Sequence, residues 1–458
     1  MAIATINPAT GITEATFEAD SDAEVERKIA ESHAAYQAMR ATDYATRAGW
    51  MVRAAEVLEA EVEDVARILT LEMGKTIGQA RAEVLKSAKA MRFYAERAEG
   101  FLAGWELEDP SKVGASKAYV RYQPIGVVLA VMPWNYPLWQ VIRFAAPALM
   151  AGNAGLLKHA SNVPQAAIYL DTLFEKGGFP KGSFHSLLIP ASRVEGVLRD
   201  RRVVAATLTG SEPAGRSVAS IAGSEVKHVV LELGGSDPFI VMPSADLDAA
   251  SSVAVAARTS NNGQACINAK RFIVHTDAYD EFARLFGEKM AALTVGDPFD
   301  EATQVGPIAT ESGLTDLEVF VEDAVAKGAT VVTGGGRVEG AGWFFQPTVI
   351  ADITTDMRLY AEEAFGPLAS LYRVESREEA LRIANDTTFG LSSAVWTNDA
   401  AEEEFFVSGL DVGAVFVNGM SISYPELPFG GIKDSGIGRE LSAEGIREFT
   451  NLKTVWKG

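Results

Sequence analysis

Apolar and polar positions follow two different rhythms along the 458 residues. Up to about residue 104 the apolar residues recur at helical spacing among Ala, Glu, Lys and Arg. Ser21-Asp22-Ala23-Glu24 has capping-box spacing and predicts a helix running to about Arg40. Segments 43–71 and 75–104 continue as long amphipathic helices, with their charges read as solvated faces that carry no chemistry. Asn7–Gly11 reads as a turn, and Asp109–Gly114 breaks the helical pattern before Lys117–Tyr122, which alternates like a strand.

From residue 125 short apolar runs alternate with helical segments. Strands are expected at Ile125–Val131, Ala154–Leu157, Ser186–Ile189, Val203–Leu208 and Val229–Leu233, with helices around 164–176 and 211–222. That order predicts an α/β fold, a parallel sheet covered by helices, which binds nucleotides at the C-terminal ends of its strands. A second set follows Pro238: Phe239–Met242, Phe272–His275, Thr330–Val332, Ala369–Val374, Ser393–Trp396 and Ala414–Asn418. The tail from Phe449 to Trp456 reads as a final strand that pairs either with the 117–122 segment or with another subunit.

Length alone calls for two or three domains, since one core does not grow to this size. The formal net charge of −20 argues against nucleic acid or an anionic membrane as partner, and means that an anionic substrate needs a local arginine. A single cysteine excludes an internal disulfide, and five scattered histidines without paired Cys/His spacing predict no metal site. The first residues lack the basic and apolar regions of a signal peptide, and no apolar run is long enough to span a bilayer. These features predict a cytoplasmic protein.

Cys266, the lone cysteine, lies in a polar Gly-containing turn between a helix and the strand Lys270–His275. It is either a small buried hydrophobe or a nucleophile whose thiolate nearby cations favour. Asn135, in the proline-flanked loop Pro133–Pro137, either donates to a developing oxyanion or caps the following helix. No Gly-x-Gly-x-x-Gly follows any strand; the nearest substitute is Gly210-Ser211, a phosphate-binding helix start or a plain N-cap. Lys158 is a cation at the same sheet edge. Glu232 ends an apolar strand, as a general base with its charged form disfavoured by burial or as an ordinary strand-end carboxylate.

Pro-Trp-Asn135-Tyr-Pro, Leu-Glu232-Leu-Gly-Gly, Gly-Gln-Ala-Cys266, Glu362-Glu-Ala-Phe365-Gly-Pro367 and Pro428-Phe-Gly-Gly-Ile-Lys433 stand in the order and spacing of the aldehyde dehydrogenase superfamily, which the chain resembles over essentially its whole length. The resemblance implies a parallel-sheet cofactor domain (1–112 and 126–233), a catalytic domain (234–432) and a small oligomerisation arm (113–125 and 447–458). It implies Cys266 as nucleophile, Glu232 as the base that activates water, and the Asn135 amide with the Cys266 backbone N–H as oxyanion hole. Trp134, Asn135, Lys158, His159, Ala160, Ser161, Gly210, Ser211, Leu233, Glu363 and Phe365 would then line the cofactor. Members that prefer NAD carry a Glu three residues after the lysine, where this chain has Ser161. NADP is therefore the expected cofactor, with NAD the weaker alternative.

The run Glu426–Leu441 is similar to the group of the family that oxidises succinate semialdehyde. That likeness implies Arg143 and Ser423 as binders of a substrate carboxylate, although the group's second arginine, six residues before the cysteine, is Ser260 here. Arg143 is otherwise a helix-surface cation. Some members carry a second cysteine two residues after the nucleophile; this chain has Asn268. The expected function is NADP-dependent oxidation of succinate semialdehyde by a homodimer or homotetramer. The alternatives are another short-chain aldehyde, release of the acyl group to coenzyme A, or a non-catalytic use of the fold.

Overall fold

The computed structural model describes residues 2–458, and its architecture follows from how each run hides its apolar side. Strand Val127–Met132 is buried along nearly its whole length and reads as a continuous apolar run, as a strand covered on both faces must. It sits at the centre of a six-stranded sheet in the order Gly436–Ile437, His228–Glu232, Val203–Thr209, Val127–Met132, Ala154–His159, Phe184–Ser186. All neighbours run parallel except the short Gly436–Ile437 strand.

A seven-stranded sheet forms the second half, in the order Thr330–Thr333, Thr348–Ala351, Leu368–Val374, Ala269–His275, Asp237–Val241, Ser392–Trp396, Ala414–Val417. Only its first pair is antiparallel. The third assembly is an antiparallel arm of Thr450–Lys457, Lys117–Pro124 and Trp105–Glu106. Of the two partners left open for the tail strand, the structure shows pairing with Lys117–Pro124.

The helix expected over 21–40 forms as Asp22–Met39, with Ser21 Oγ accepting from Glu24 N at 3.2 Å. The single helix expected over 43–71 is two, Tyr44–Ala60 and Val62–Met73. They meet at Glu61, whose backbone (φ −96°, ψ 17°) leaves the helical region without Gly or Pro to announce it. Five further strands escaped the pattern: the hairpin Ile3–Asn7 with Ile12–Phe17, the two-residue strands Trp105–Glu106 and Gly436–Ile437, and Thr348–Ala351, four residues long and wholly buried. Among the described residues no helix is long and apolar enough to cross a membrane.

Candidate active site

The site is built on a loop with a demanding backbone. Asn261 (φ 56°), Asn262 (φ 57°) and Gly263 (φ 74°) are three successive left-handed residues, a conformation that asparagine tolerates and glycine adopts freely. A Cβ on Gly263 would lie 2.3 Å from the carbonyl carbon of Gly366. Asn262 Nδ2 donates to the carbonyls of Gly74 (2.8 Å) and Pro307 (3.0 Å), and its Oδ1 accepts from Gly306 N at 2.8 Å. Asn268 closes the turn, accepting from Ala265 N at 2.7 Å and donating to Ala257 O at 2.8 Å. Beneath them the fully buried Arg258 donates to the carbonyls of Gly263 (2.6 Å) and Ala269 (2.8 Å).

Cys266 stands at the head of this turn, between two cavities. The larger, about 240 Å³, has Trp134, Gly210, Ser211, Leu233 and Phe365 in its wall; the smaller, about 100 Å³, has Arg143, Ser260 and Ser423. Cys266 borders both. Burial pushes its thiol up to about 12, against the opposite pull of the Arg143 and Lys270 charges. Lys270 Nζ donates to Ala265 O at 3.0 Å and pairs with Glu363 at 2.9 Å, which ties a second wall residue of the larger cavity to the cysteine turn.

Asn135 also borders the larger cavity, and its amide is oriented at both ends. Nδ2 donates to Gln264 O at 3.0 Å, and Oδ1 accepts from Gln140 Nε2 at 3.1 Å. It does not cap the next helix. Trp139–Ala151 is capped instead by Glu83 Oε1, which accepts from Leu138 N and Trp139 N, each at 2.9 Å. Trp134 meets Phe365 edge-on, ring centroids 5.7 Å apart, so the aromatic pair narrows the cavity.

Strand register gathers the expected cofactor residues at one edge of the six-stranded sheet. Val131 lies opposite Lys158 on one side and Leu208 on the other, and one step on, Thr209 lies opposite Glu232. Ser211 occupies the N-cap of Glu212–Ser224, but its hydroxyl makes no capping bond and sits in the cavity wall at a 13-residue helix's positive end. Leu233 packs onto Gly215, where a Cβ would approach to 2.6 Å.

Lys158, His159, Ala160 and Ser161 lie off the wall of the larger cavity, on the neighbouring strand end; the last three line a small pocket of about 10 Å³. The His159 side chain turns inward. Its Nε2 lies 2.8 Å from Pro137 O, and its Nδ1 lies 3.3 Å from Met132 O and 3.0 Å from Ala160 N. Burial lowers this imidazole to about 4. His159 therefore braces the Pro133–Pro137 loop through Pro137 O.

Glu232 stays off both cavity walls. It is 2 % exposed, and neither carboxylate oxygen has a hydrogen-bond partner among the described residues. Burial raises its pKa, and the neighbouring Glu440 adds to the effect. Glu440 is raised by burial too, while its ion pair with Arg143 opposes the shift. Arg143 is 2 % exposed, which removes the helix-surface reading.

The chain matches the aldehyde dehydrogenase family over residues 1–455. It belongs to that family. It is 62 % identical over 459 residues to a succinate-semialdehyde dehydrogenase [NADP(+)] of Mycobacterium avium, covering 100 % of this chain and 97 % of the relative. It is 61 % identical over 456 residues to succinate-semialdehyde dehydrogenase [NADP(+)] 1 of Mycobacterium tuberculosis, with both chains covered completely. A crystal structure of the succinic semialdehyde dehydrogenase of Streptococcus pyogenes in complex with NADP+ superposes with a TM-score of 0.96 at 36 % identity, covering 99 % of each chain.

In this aldehyde dehydrogenase the charges of helix Ile77–Phe101 correct the expectation of a solvated face. Glu83 falls in phase with the buried Ala80, Val84 and Ser87, and that phase is the signal that was available in the sequence. It is ion-paired with Lys75, itself fully buried. Lys75 Nζ also donates to Asn135 O at 3.0 Å and lies 4.2 Å from the centre of the Tyr136 ring. One turn along, Lys86 reaches the smaller cavity and donates to Ser423 Oγ at 2.9 Å. Sequence reading assigned none of these three to the site.

Proposed function

We propose that this aldehyde dehydrogenase oxidises succinate semialdehyde to succinate with NADP. One observation carries the reading: Cys266 separates a cavity with an aromatic wall and a helix N-terminus from a second, smaller cavity whose wall is cationic and hydroxylic. The identity to named NADP-dependent succinate-semialdehyde dehydrogenases supports it across the full chain. In this reading 1–112 and 126–233 hold the cofactor, 234–432 present the nucleophile, and 113–125 with 447–458 form the arm.

NADP fits the larger cavity: the uncommitted Ser211 hydroxyl at a helix N-terminus suits a phosphate, and Trp134, Leu233 and Phe365 suit an apolar-faced ring. When bound there it supplies the hydride acceptor. The Cys266 thiolate attacks the aldehyde carbon, and the Asn135 amide and the Cys266 N–H hold the oxyanion. Loss of hydride from the same carbon leaves a thioester on Cys266. Glu232 takes a proton from water, the hydroxide displaces sulfur, and succinate leaves with the thiolate restored. Retention of Glu232 favours water over coenzyme A as the acyl acceptor. Ser161, which presents no carboxylate to a 2′-phosphate, and the nearby Lys158 support NADP over NAD.

We further read the chain as a homo-oligomer. Thr450–Lys457 and Ala414–Val417 are edge strands of different sheets, each with one side unpaired in the single chain. A reducing, cytoplasmic setting belongs to the same reading, because the one cysteine must remain a thiol.

The test is formation of reduced cofactor from succinate semialdehyde and from butanal, with NADP or NAD, with and without coenzyme A. The highest kcat/KM is expected for succinate semialdehyde with NADP, independent of coenzyme A. Ser161→Glu should move the preference toward NAD. A wild-type enzyme that works better with NAD, or that needs coenzyme A, overturns the corresponding part.

A further inference from the structure

We propose that Lys86 is the residue that supplies positive charge to the distal carboxylate of the substrate, with Ser423 as its hydrogen-bonding companion. The inference rests on the succinate semialdehyde reading and names what in this chain makes the site select a charged aldehyde.

Three observations converge. The first concerns charge. Two cations border the smaller cavity, Lys86 and Arg143, and no carboxylate does. Arg143 already has a counter-ion in the buried Glu440, and its guanidinium lies 4.6 Å from the centre of the Phe429 ring. Lys86 has no ion-pair partner among the described residues. The carboxylates nearest in sequence do not serve it, because Glu83 is taken by Lys75 and by the helix N-terminus.

The second is how Lys86 is held. Its ammonium lies 4.2 Å from the centre of the Trp139 ring and donates to Ser423 Oγ, so one place in the cavity wall is fixed for it. Burial and the neighbouring Arg143 lower its pKa to about 8, as expected of an ammonium without a counter-ion. An incoming carboxylate is the counter-ion this arrangement lacks.

The third is the state of Ser423. Its oxygen accepts from Lys86 Nζ at 2.9 Å and from Trp139 Nε1 at 3.1 Å. Both acceptor positions are filled, so the hydroxyl proton is left to donate. An ammonium and a hydroxyl donor side by side match the two oxygens of one carboxylate. Ser260, which bonds to Asn268 Nδ2 at 2.9 Å, borders the same cavity without bringing any charge. The cation absent from position 260 is thus supplied from a helix far away in sequence.

The experiment compares Lys86→Met and Lys86→Arg with wild type on succinate semialdehyde and on butanal, which has the same chain length without the carboxylate. Lys86→Met keeps the side-chain stem and removes the charge. It should raise KM for succinate semialdehyde tenfold or more and leave kcat/KM for butanal within about twofold. Lys86→Arg should recover most of the loss. Equal losses on both substrates would make Lys86 a structural support of Ser423, and an unchanged KM for succinate semialdehyde would return the carboxylate to Arg143. Either result overturns the proposal. A wild-type enzyme that does not oxidise succinate semialdehyde, or does not prefer it to butanal, refutes instead the functional reading beneath it.

Discussion

Cys266 and Glu232 share a difficulty, since burial favours the neutral form of each in the free protein. A thiol pushed up to about 12 has very little thiolate near neutral pH, so alkylation of Cys266 should be slow. Below its pKa the thiolate fraction, and hence the rate, climbs about tenfold per pH unit. We expect iodoacetamide labelling of the cofactor-free enzyme, followed by intact mass, to keep rising to about pH 9.5; levelling near 8.5, the ordinary thiol value, would show an unshifted cysteine. Glu232 reaches neither cavity wall, so its carboxyl must move before it can meet water at the thioester. Gly430 gives it room: a Cβ there would come within 2.7 Å of Glu232 Oε1. Glu232→Gln should therefore still form the thioester and release one equivalent of NADPH per active site in a rapid burst, then turn over at least a hundredfold more slowly. Steady turnover near wild type would sink the role of Glu232 as base.

At the scale of elements, legibility in the sequence divided along loops and helices. Asn135, Gly210 and Ser211 follow short apolar strands, at the C-terminal edge of a parallel sheet where ligands bind, whereas Cys266 precedes its strand and was marked as the one cysteine of the chain. Charges on an amphipathic helix are solvated by default, so Lys75, Glu83 and Lys86 were hidden by the commonest explanation for their kind. Arg143 was singled out only through the family resemblance and otherwise read as a surface cation, whereas it lies in Trp139–Ala151, a helix buried at all 13 positions. Its partner Glu440, nearly three hundred residues away, could not be read from periodicity. Glu83 joins three elements, since it pairs with Lys75 and accepts from the first two N–H groups of the helix that carries Gln140 and Arg143. Glu83→Ala leaves a fully buried ammonium alone and should cost about 3–5 kcal/mol in chemical denaturation. Adding Lys75→Met should restore part of that loss, because the stranded charge goes with it. A loss below about 1 kcal/mol, or no recovery in the double variant, would show that the pair is not what fixes the loop.

At the scale of the whole molecule the arm is the least self-sufficient part. Thr450–Lys457 pairs along its full length with Lys117–Pro124 on one side only. Leu452 and Trp456, both 54–55 % exposed, stand on one face of it two positions either side of Thr454. Ala414–Val417 ends the seven-stranded sheet beside exposed Leu427 and Tyr424 and a cavity of about 410 Å³. Long edges with exposed apolar side chains invite pairing with another chain, and closed symmetry would let each subunit protect the other. The net charge of −20 opposes casual association, so any stable contact must be specific and apolar enough to overcome it. Sedimentation should give a multiple of 48.9 kDa for the wild type. Leu452→Glu with Trp456→Glu adds charge to a surface that a monomer leaves in water, so the fold and its circular dichroism should persist while the mass falls toward 48.9 kDa. A wild type that sediments as a monomer at micromolar concentration would refute the assembly. A double variant that keeps the wild-type mass would clear this strand and move the interface elsewhere on the chain.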